Sequence, residues 1–484
     1  MISVNKEEQK SKATTGLLVK SSFWYTLSGF LSKAMVFLTT PLFTRLLTKE
    51  QYGDFTVFAS WQAIMLVVCG LETYATINKA RFDFQAEKDF NAYISSSLIL
   101  STAFTAFILI LYFIFPASFQ RIFLLDKKYM VFMFMYIFTY PAFGMFQAKQ
   151  RIEYKYKLSA LISFILVIAS SGLSILFAVM FDGDHLWGRV VGQYGLYIVT
   201  GIFFYLYFLR RDASVHTCYI NYALRLAIPL VFSYLGSTIL LSSDNLVVKH
   251  MCSGEEVSYL SITHSCAHII LILVQLLNNA WSPWFYDKLN EKEYNTIRRT
   301  FKAYVWLVIL GTFTVLLFTP EIITILGGKS YSEAIYIVPV NIMNGFFSVL
   351  TYQFGSLETF YKRPEYSAII TSCIAITNVI LDIVGVKIWG YRTVCYATLI
   401  CQVLLVCIHY QCTKKMDIEK MLTRTDMFIF ITVLISLIPL SLLLYSSNVL
   451  RWLLIGILVI VFCTVIIVKR KQIHVIARQF RNSN

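Results

Sequence analysis

Charge is scarce in this chain. Of its 484 residues only 14% are Asp, Glu, Lys or Arg, against about a quarter in soluble domains, and the shortage excludes a protein assembled from such domains. Long connections are missing too. The longest gaps between apolar runs are about 15–20 residues, around 282–301 and 320–334, too short for a folded domain outside a membrane. The ten cysteines form no CxxC pair and mostly lie inside apolar runs (Cys69, Cys266, Cys373, Cys401, Cys407, Cys463), where they read as small buried hydrophobes. Neither a disulfide framework nor a zinc site is implied. No small-residue cleavage site follows the first apolar run, and Glu7 and Glu8 interrupt the N-terminal lysines, so a cleaved signal peptide is not expected.

What is abundant is apolar surface: 57% hydrophobic residues, 16% aromatics and a mean hydropathy of +0.65. A membrane helix needs about 20 mostly apolar residues. Runs bounded by charges fall at 21–44, 53–77, 91–115, 129–148, 158–181, 188–209, 226–248, 257–281, 303–319, 335–357, 366–386, 393–412, 427–446 and 450–468. The expected fold class is therefore all-α: a polytopic membrane protein of about 14 transmembrane helices. The net charge of +15 would suit nucleic acid only if it gathered into a stripe. Instead the basic residues lie in short clusters between spans, which points away from nucleic acid. Sorted alternately, the connections on the side of both termini hold about 30 Lys and Arg, and the opposite side about 11, which places both termini in the cytoplasm. Lys149, Arg151, Lys155 and Lys157 share one short connection on that side. The basic tail 469–484 is expected at the membrane surface.

Residues 48–60, after the first span, align weakly with residues 253–265, after the seventh, at an offset of about 205. Glu50 falls on Glu255 and Ser60 on Ser265. Six spans separate the copies, so they run in the same direction, as in two parallel six-helix lobes enclosing a substrate path. The lobes would be residues 1–220 and 221–424, with 425–484 adding two helices and the tail.

Helical periodicity then gathers polar residues onto faces. Ser22, Thr26, Gly29, Lys33 and Thr40 share one face of the first span, within about 60°. Ser233, Ser237 and Asp244 share a face of the seventh. Ser261, Ser265, His268, Gln275 and Asn279, with His264 alongside, do so on the eighth, and Thr371, Asn378 and Asp382 on the eleventh. Bare Ser and Thr positions are more often glue between helices. A charge at mid-membrane costs roughly 2.5–3.5 kcal/mol, so faces carrying one are read as lining a wet lumen. His264 and His268 have metal-ligand spacing without a third ligand, and a neutral or lumen-facing pair is the preferred reading. Glu358 is expected to pair with Lys362 or Arg363. Gly328-Lys329-Ser330 imitates the end of a phosphate loop, but Ile323 stands where that motif needs glycine. No catalytic triad or carboxylate pair gathers in a loop. A cofactor, a metal site and an enzyme activity are all unexpected.

Arg45-Leu46-Leu47-Thr48-Lys49-Glu50-Gln51-Tyr52-Gly53-Asp54-Phe55 resembles the signature after the first helix of Wzx-type polysaccharide repeat-unit flippases, within the multidrug/oligosaccharidyl-lipid/polysaccharide exporter superfamily. Gly70-Leu71-Glu72-Thr73 leading to Arg81 is similar to the end of their second helix. Pro320-Glu321-Ile322-Ile323 through Gly328 and Tyr331 is similar to an outer loop, and Asn378-Val379-Ile380-Leu381-Asp382 with Trp389-Gly390 to their helix 11. The resemblance implies a multi-pass protein of the bacterial inner membrane that moves an undecaprenyl-diphosphate-linked oligosaccharide between leaflets. Its surroundings would be membrane lipid, a polysaccharide polymerase and a chain-length regulator. On that reading Lys33 neutralises a diphosphate oxygen, while Ser237, His264, His268, Gln275 and Asn279 line the lumen. Asp244 and Asp382 couple or gate; Lys33 and Asp244 either stand apart, with Lys33 snorkelling and Asp244 meeting water, or pair across the cavity. A drug or cation exporter of the same superfamily is the alternative, and a polysaccharide polymerase a more distant one.

Overall fold

The computed structural model describes residues 34–153, 155–210, 214–363 and 365–460, together with Gly29 and Thr464. Each of the 14 apolar runs finds a helix there. The described part of the first is α1 (Ala34–Leu46). The second is split into α2 (Lys49–Gly70) and α3 (Thr73–Asp83), and α4 (Glu87–Ile114) leads to the short α5 (Pro116–Phe123). Next come α6 (Lys127–Ile152), α7 (Tyr156–Met180) and α8 (His185–Arg210), which complete the N-terminal half. The C-terminal half holds α9 (Thr217–Met251), α10 (Gly254–Asn290), α11 (Tyr294–Leu317), α12 (Thr319–Gly327), α13 (Val338–Phe360), α14 (Glu365–Trp389) and α15 (Thr393–Thr413). After the single turn α16 (Ile418–Met421), α17 (Arg424–Tyr445) and α18 (Asn448–Ile460) follow.

Eleven of these helices are long and apolar enough to cross a membrane. A twelfth arises if the 3₁₀ turn Lys329–Tyr336 and α13, bent by 60° where they join, count as one span. Stretches α1 and α18 are apolar but shorter in their described portions. Leucine, isoleucine, valine and phenylalanine cover the outside of the bundle, as on Phe107, Phe203, Ile376 and Leu443. With water excluded, every backbone polar group in such a span must bond within its own helix, hence an all-helical plan. This is a multi-pass membrane protein.

Within the first half, α8 packs along α7 and α6, and α6 against α3 and α4. Within the second, α14 packs against α9 and α15, and α13 against α10 and α15. Between them the contacts run mainly through α2, which lies on both α9 and α10. The last pair is appended to the second half: α17 rests on α11 and α13, and Arg451 of α18 grips Glu321 of α12 with two nitrogens, at 2.6 and 3.1 Å.

Candidate transport site

The two segments matched by the internal repeat meet each other. Thr48 caps α2 with Gln51 reciprocating, the capping-box arrangement that its Thr-x-x-Gln sequence announces. Ser253 caps α10. The two helix starts then cross so closely that a Cβ on Gly53 would stand 1.8 Å from the Gly254 carbonyl oxygen. Only glycine permits that crossing.

Side chains on both helices use the proximity. Glu50 accepts hydrogen bonds from the backbone N–H of Gly254 at 3.1 Å and of Glu255 at 3.0 Å, adding a second cap to α10 from the other half. Lys249 reaches Glu50 at 2.8 Å and Asp54 at 2.6 Å, and Lys49 reaches Glu255 at 2.7 Å and the Tyr259 hydroxyl at 2.8 Å. Deeper in, Thr56 donates to Ser261 at 3.1 Å, a residue pair separated by the same 205 positions as Glu50 and Glu255. Equivalent residues touching in this way mark a local two-fold relation between the halves. Asn245 donating to Ser60 at 3.1 Å continues the seam. One end of the bundle is thereby clasped shut.

Below the clasp, the C-terminal half contains a pocket of oxygen-bearing side chains. Asp244 of α9 is 3% exposed and Asp382 of α14 fully buried. Thr398 of α15 donates to both Asp244 carboxyl oxygens, at 3.1 and 3.0 Å. Asn378 donates to Thr398 at 3.1 Å and to Asp382 at 3.4 Å, while accepting from Ser243 at 3.1 Å. The Asp382 carboxyl faces that of Asp244, yet its Oδ2 is buried without a hydrogen-bonding partner. Two acids, three helices and no Lys or Arg among those contacts make a site that lacks a positive charge.

Asp244 lies about two helical turns from the exposed Ser237 and is itself buried. The helix face that is open at the exposed Ser237 is covered at Asp244 by α14 and α15, so its partners lie inside its own half. Lys33 lies outside the described residues.

On α10 the histidines part. His264 turns to α13, its Nδ1 3.2 Å from the Asn341 amide nitrogen and its Nε2 buried without a partner, whereas His268 is exposed. Gln275 and Asn279 are exposed on the same helix, in keeping with a wet face. Their neighbour Asn278 acts as glue, accepting from Tyr304 at 3.0 Å and Gln353 at 3.3 Å. Glu358 also departs from expectation. Its carboxylate meets the His409 ring nitrogen at 2.7 Å, with both side chains fully buried, rather than Lys362 or Arg363. Lys362 and Arg363 lie beyond the end of α13, and the Arg363 side chain reaches Glu365 at 3.6 Å.

The N-terminal half carries features that periodicity did not isolate. Leu71 and Glu72 both adopt left-handed backbone conformations, φ 51° and 48°, and break the second span. Glu72 is 1% exposed with Oε2 unpartnered. The same half holds a run of ring contacts: Tyr136 stands 5.1 Å from Tyr140 and 5.1 Å from Tyr194, and Tyr194 lies 5.3 Å from Phe58. Arg189, inside the sixth apolar run, is buried in α8. The legible signal was a lone arginine near the start of an apolar run.

Comparison with known proteins agrees with this architecture. Lsg locus protein 1 of Haemophilus influenzae is 20% identical over 416 residues, covering 82% of this chain and 98% of that protein. The lipid II flippase MurJ in an inward closed conformation superposes with a TM-score of 0.61 at 14% identity, covering 89% of this chain and 99% of its own. An inward-facing multidrug resistance MATE family transporter of the MOP superfamily gives 0.54 at 17%, covering 82% and 93%. Those two likenesses establish the fold. Residues 18–289, more than half of the sequence, match the family described as polysaccharide biosynthesis protein, and the chain belongs to that family.

Proposed function

We propose that this chain is a flippase of the bacterial inner membrane. It would carry a prenyl-diphosphate-linked oligosaccharide repeat unit from the cytoplasmic to the outer leaflet during synthesis of a surface polysaccharide. The observation that carries the reading is the clasp. Two halves joined through repeat-related residues at one end form a device that can close one side of a path while the other is open. Reversible closure of this kind is what alternating access requires.

Each part has a task on this reading. The sugar headgroup occupies the space between the halves, with the prenyl chain left in lipid. Ser237, His264, His268, Gln275 and Asn279 supply hydrogen bonds to sugar hydroxyls, and the half-buried tyrosines of the N-terminal half offer ring faces. Lys33 neutralises the diphosphate. The Asp244–Asp382 pocket takes up the charge it lacks, a proton or a small cation, and couples that uptake to rocking of the halves through α9, which also forms part of the clasp. The lobes comprise residues 1–220 and 221–424, and 425–484 supplies the appended helices. Both termini are cytoplasmic, so a cysteine at position 153 should label from the cytoplasm and one at position 329 from outside.

The experiment is reconstitution. Purified protein in vesicles holding a fluorescent undecaprenyl-diphosphate oligosaccharide should expose the inner-leaflet label to an impermeant quencher. A protein that leaves the label protected while it extrudes organic cations would instead be a drug exporter.

A further inference from the structure

A buried cation with no ion-pair partner among the described residues lies in the first turns of α8. Arg189 is 8% exposed, and its guanidinium carbon is 3.5 Å from the ring centre of Phe55, 4.1 Å from Phe43 and 4.9 Å from Tyr52. Aromatic faces attract a guanidinium but do not satisfy its N–H groups. Accordingly, Nε and Nη1 are buried with no hydrogen-bond partner. Among the described residues, the hydroxyls of Tyr52, Tyr194 and Tyr331 face the side chain, and that of Tyr52 is hydrogen-bonded to it.

The arginine is also held rigidly. A Cβ at Gly188 would fall 2.2 Å from the Phe177 carbonyl oxygen, and one at Gly192 would fall 2.4 Å from the Ser174 Cα. Ser174 further donates to the Arg189 carbonyl at 2.9 Å. With α8 locked against α7, the side chain is aimed at α1 and α2. A fixed guanidinium with spare donors matches the geometry of phosphate oxygens.

Its cover comes from the opposite half. Tyr331, in the turn after α12, meets Tyr52 edge-on at 6.5 Å and lies 5.8 Å from the Lys49 ammonium, within the clasp. Parting the clasp would withdraw Tyr331 and open the cage on its unsatisfied side.

We propose that Arg189 is an anion-receiving site at the clasped end of the path. It would be shut while the clasp is closed and take the phosphate oxygens of a lipid diphosphate once the clasp parts. The identity of the cargo rests on the flippase reading; the site itself rests on the cage. Reception there draws the diphosphate toward the opened end, and reclosure, by returning Tyr331, expels it.

The test uses the full-length protein and farnesyl diphosphate as probe, with phenylglyoxal labelling read at the Arg189 peptide by mass spectrometry. Wild-type protein should label slowly. Lys249→Ala, which loosens the clasp, should label roughly fivefold faster, the change expected for loss of a partly exposed ion-pair cluster. Farnesyl diphosphate should return that rate to the wild-type value, whereas farnesol should leave it unchanged. Equal labelling of wild type and Lys249→Ala, or no protection by the diphosphate, overturns the site. Equal protection by phosphatidylglycerol vesicles overturns its assignment to cargo, since bulk lipid would then fill it. Vesicle translocation on the same preparations separates the two ideas. Wild-type translocation without protection at Arg189 removes this site alone, whereas protection without translocation removes the flippase reading.

Discussion

In the N-terminal half, the interior beneath the clasp is walled by rings. Tyr140, Tyr136, Tyr194 and Phe58 form a chain of successive ring contacts, and Arg189 is wrapped by Phe43, Tyr52 and Phe55. In the C-terminal half, the corresponding depth is occupied by Asp244, Asp382, Asn378, Ser243 and Thr398 in one hydrogen-bonded group. Both halves follow one helical plan and share a junction, yet they bury opposite chemistry: a cation among π-faces on one side, acids among hydroxyls and amides on the other. The difference suggests a division of labour, with cargo handled by the first half and the driving charge by the second. Glu72 is the exception, an acid buried in the aromatic half.

The largest effect is expected from removing the acidic character of the second half. Asp244→Asn with Asp382→Asn should reduce vesicle translocation about 100-fold, the upper part of the range for coupling between sites, with normal protein abundance. Translocation near the wild-type rate would end the proposed division. The Glu358–His409 pair asks whether every buried acid of that half serves transport. Glu358→Gln should cost about 1–3 kcal/mol of stability by weakening a buried hydrogen bond, seen as a lowered unfolding temperature in detergent. Translocation per folded molecule should stay unchanged, and a selective loss of transport would extend the acidic machinery to α13 and α15.

Glu72→Gln tests the exception. If cargo handling dominates the aromatic half, translocation should fall only about fivefold, through lost contacts to cargo. A loss as deep as that of the aspartate pair would place a coupling group in both halves. The smallest effects concern the repeated junctions. Thr48→Ala should destabilise by about 1 kcal/mol through loss of its cap. Ser253→Ala should cost only a few tenths, because Glu50 still accepts from the Gly254 and Glu255 N–H groups. Equal costs in chemical unfolding would mean that Glu50 adds nothing to α10.

Much of this was legible along the chain because membrane spans announce themselves. An apolar run long enough to cross lipid has few alternatives to a helix, so each of the 14 runs reappears as helix within the described residues. The second run, expected as one span, is broken at Leu71 and Glu72, since nothing in local propensity marks two non-glycine left-handed residues in succession. The site was legible in part. Asn378 and Asp382 were placed together because four residues make one helical turn, and Asn378 does donate to Asp382. Periodicity could not say which neighbour a face meets, so it did not find Thr398 beside Asp244, and Glu358 was aimed at the wrong cation.

By itself, then, the sequence determined the membrane, the positions of the apolar runs, the charge bias of the connections and the duplicated junction at residues 48–60 and 253–265. These depend on composition and short-range order, which act along the chain through transfer free energy and helical period. The tertiary structure alone decided that Gly53 touches Gly254, that Asp244 turns toward Asp382 and Thr398, and that Arg189 is enclosed by rings. Each joins residues distant in sequence, and their meeting is set by how helices pack against one another, a choice made by shape complementarity over the whole bundle.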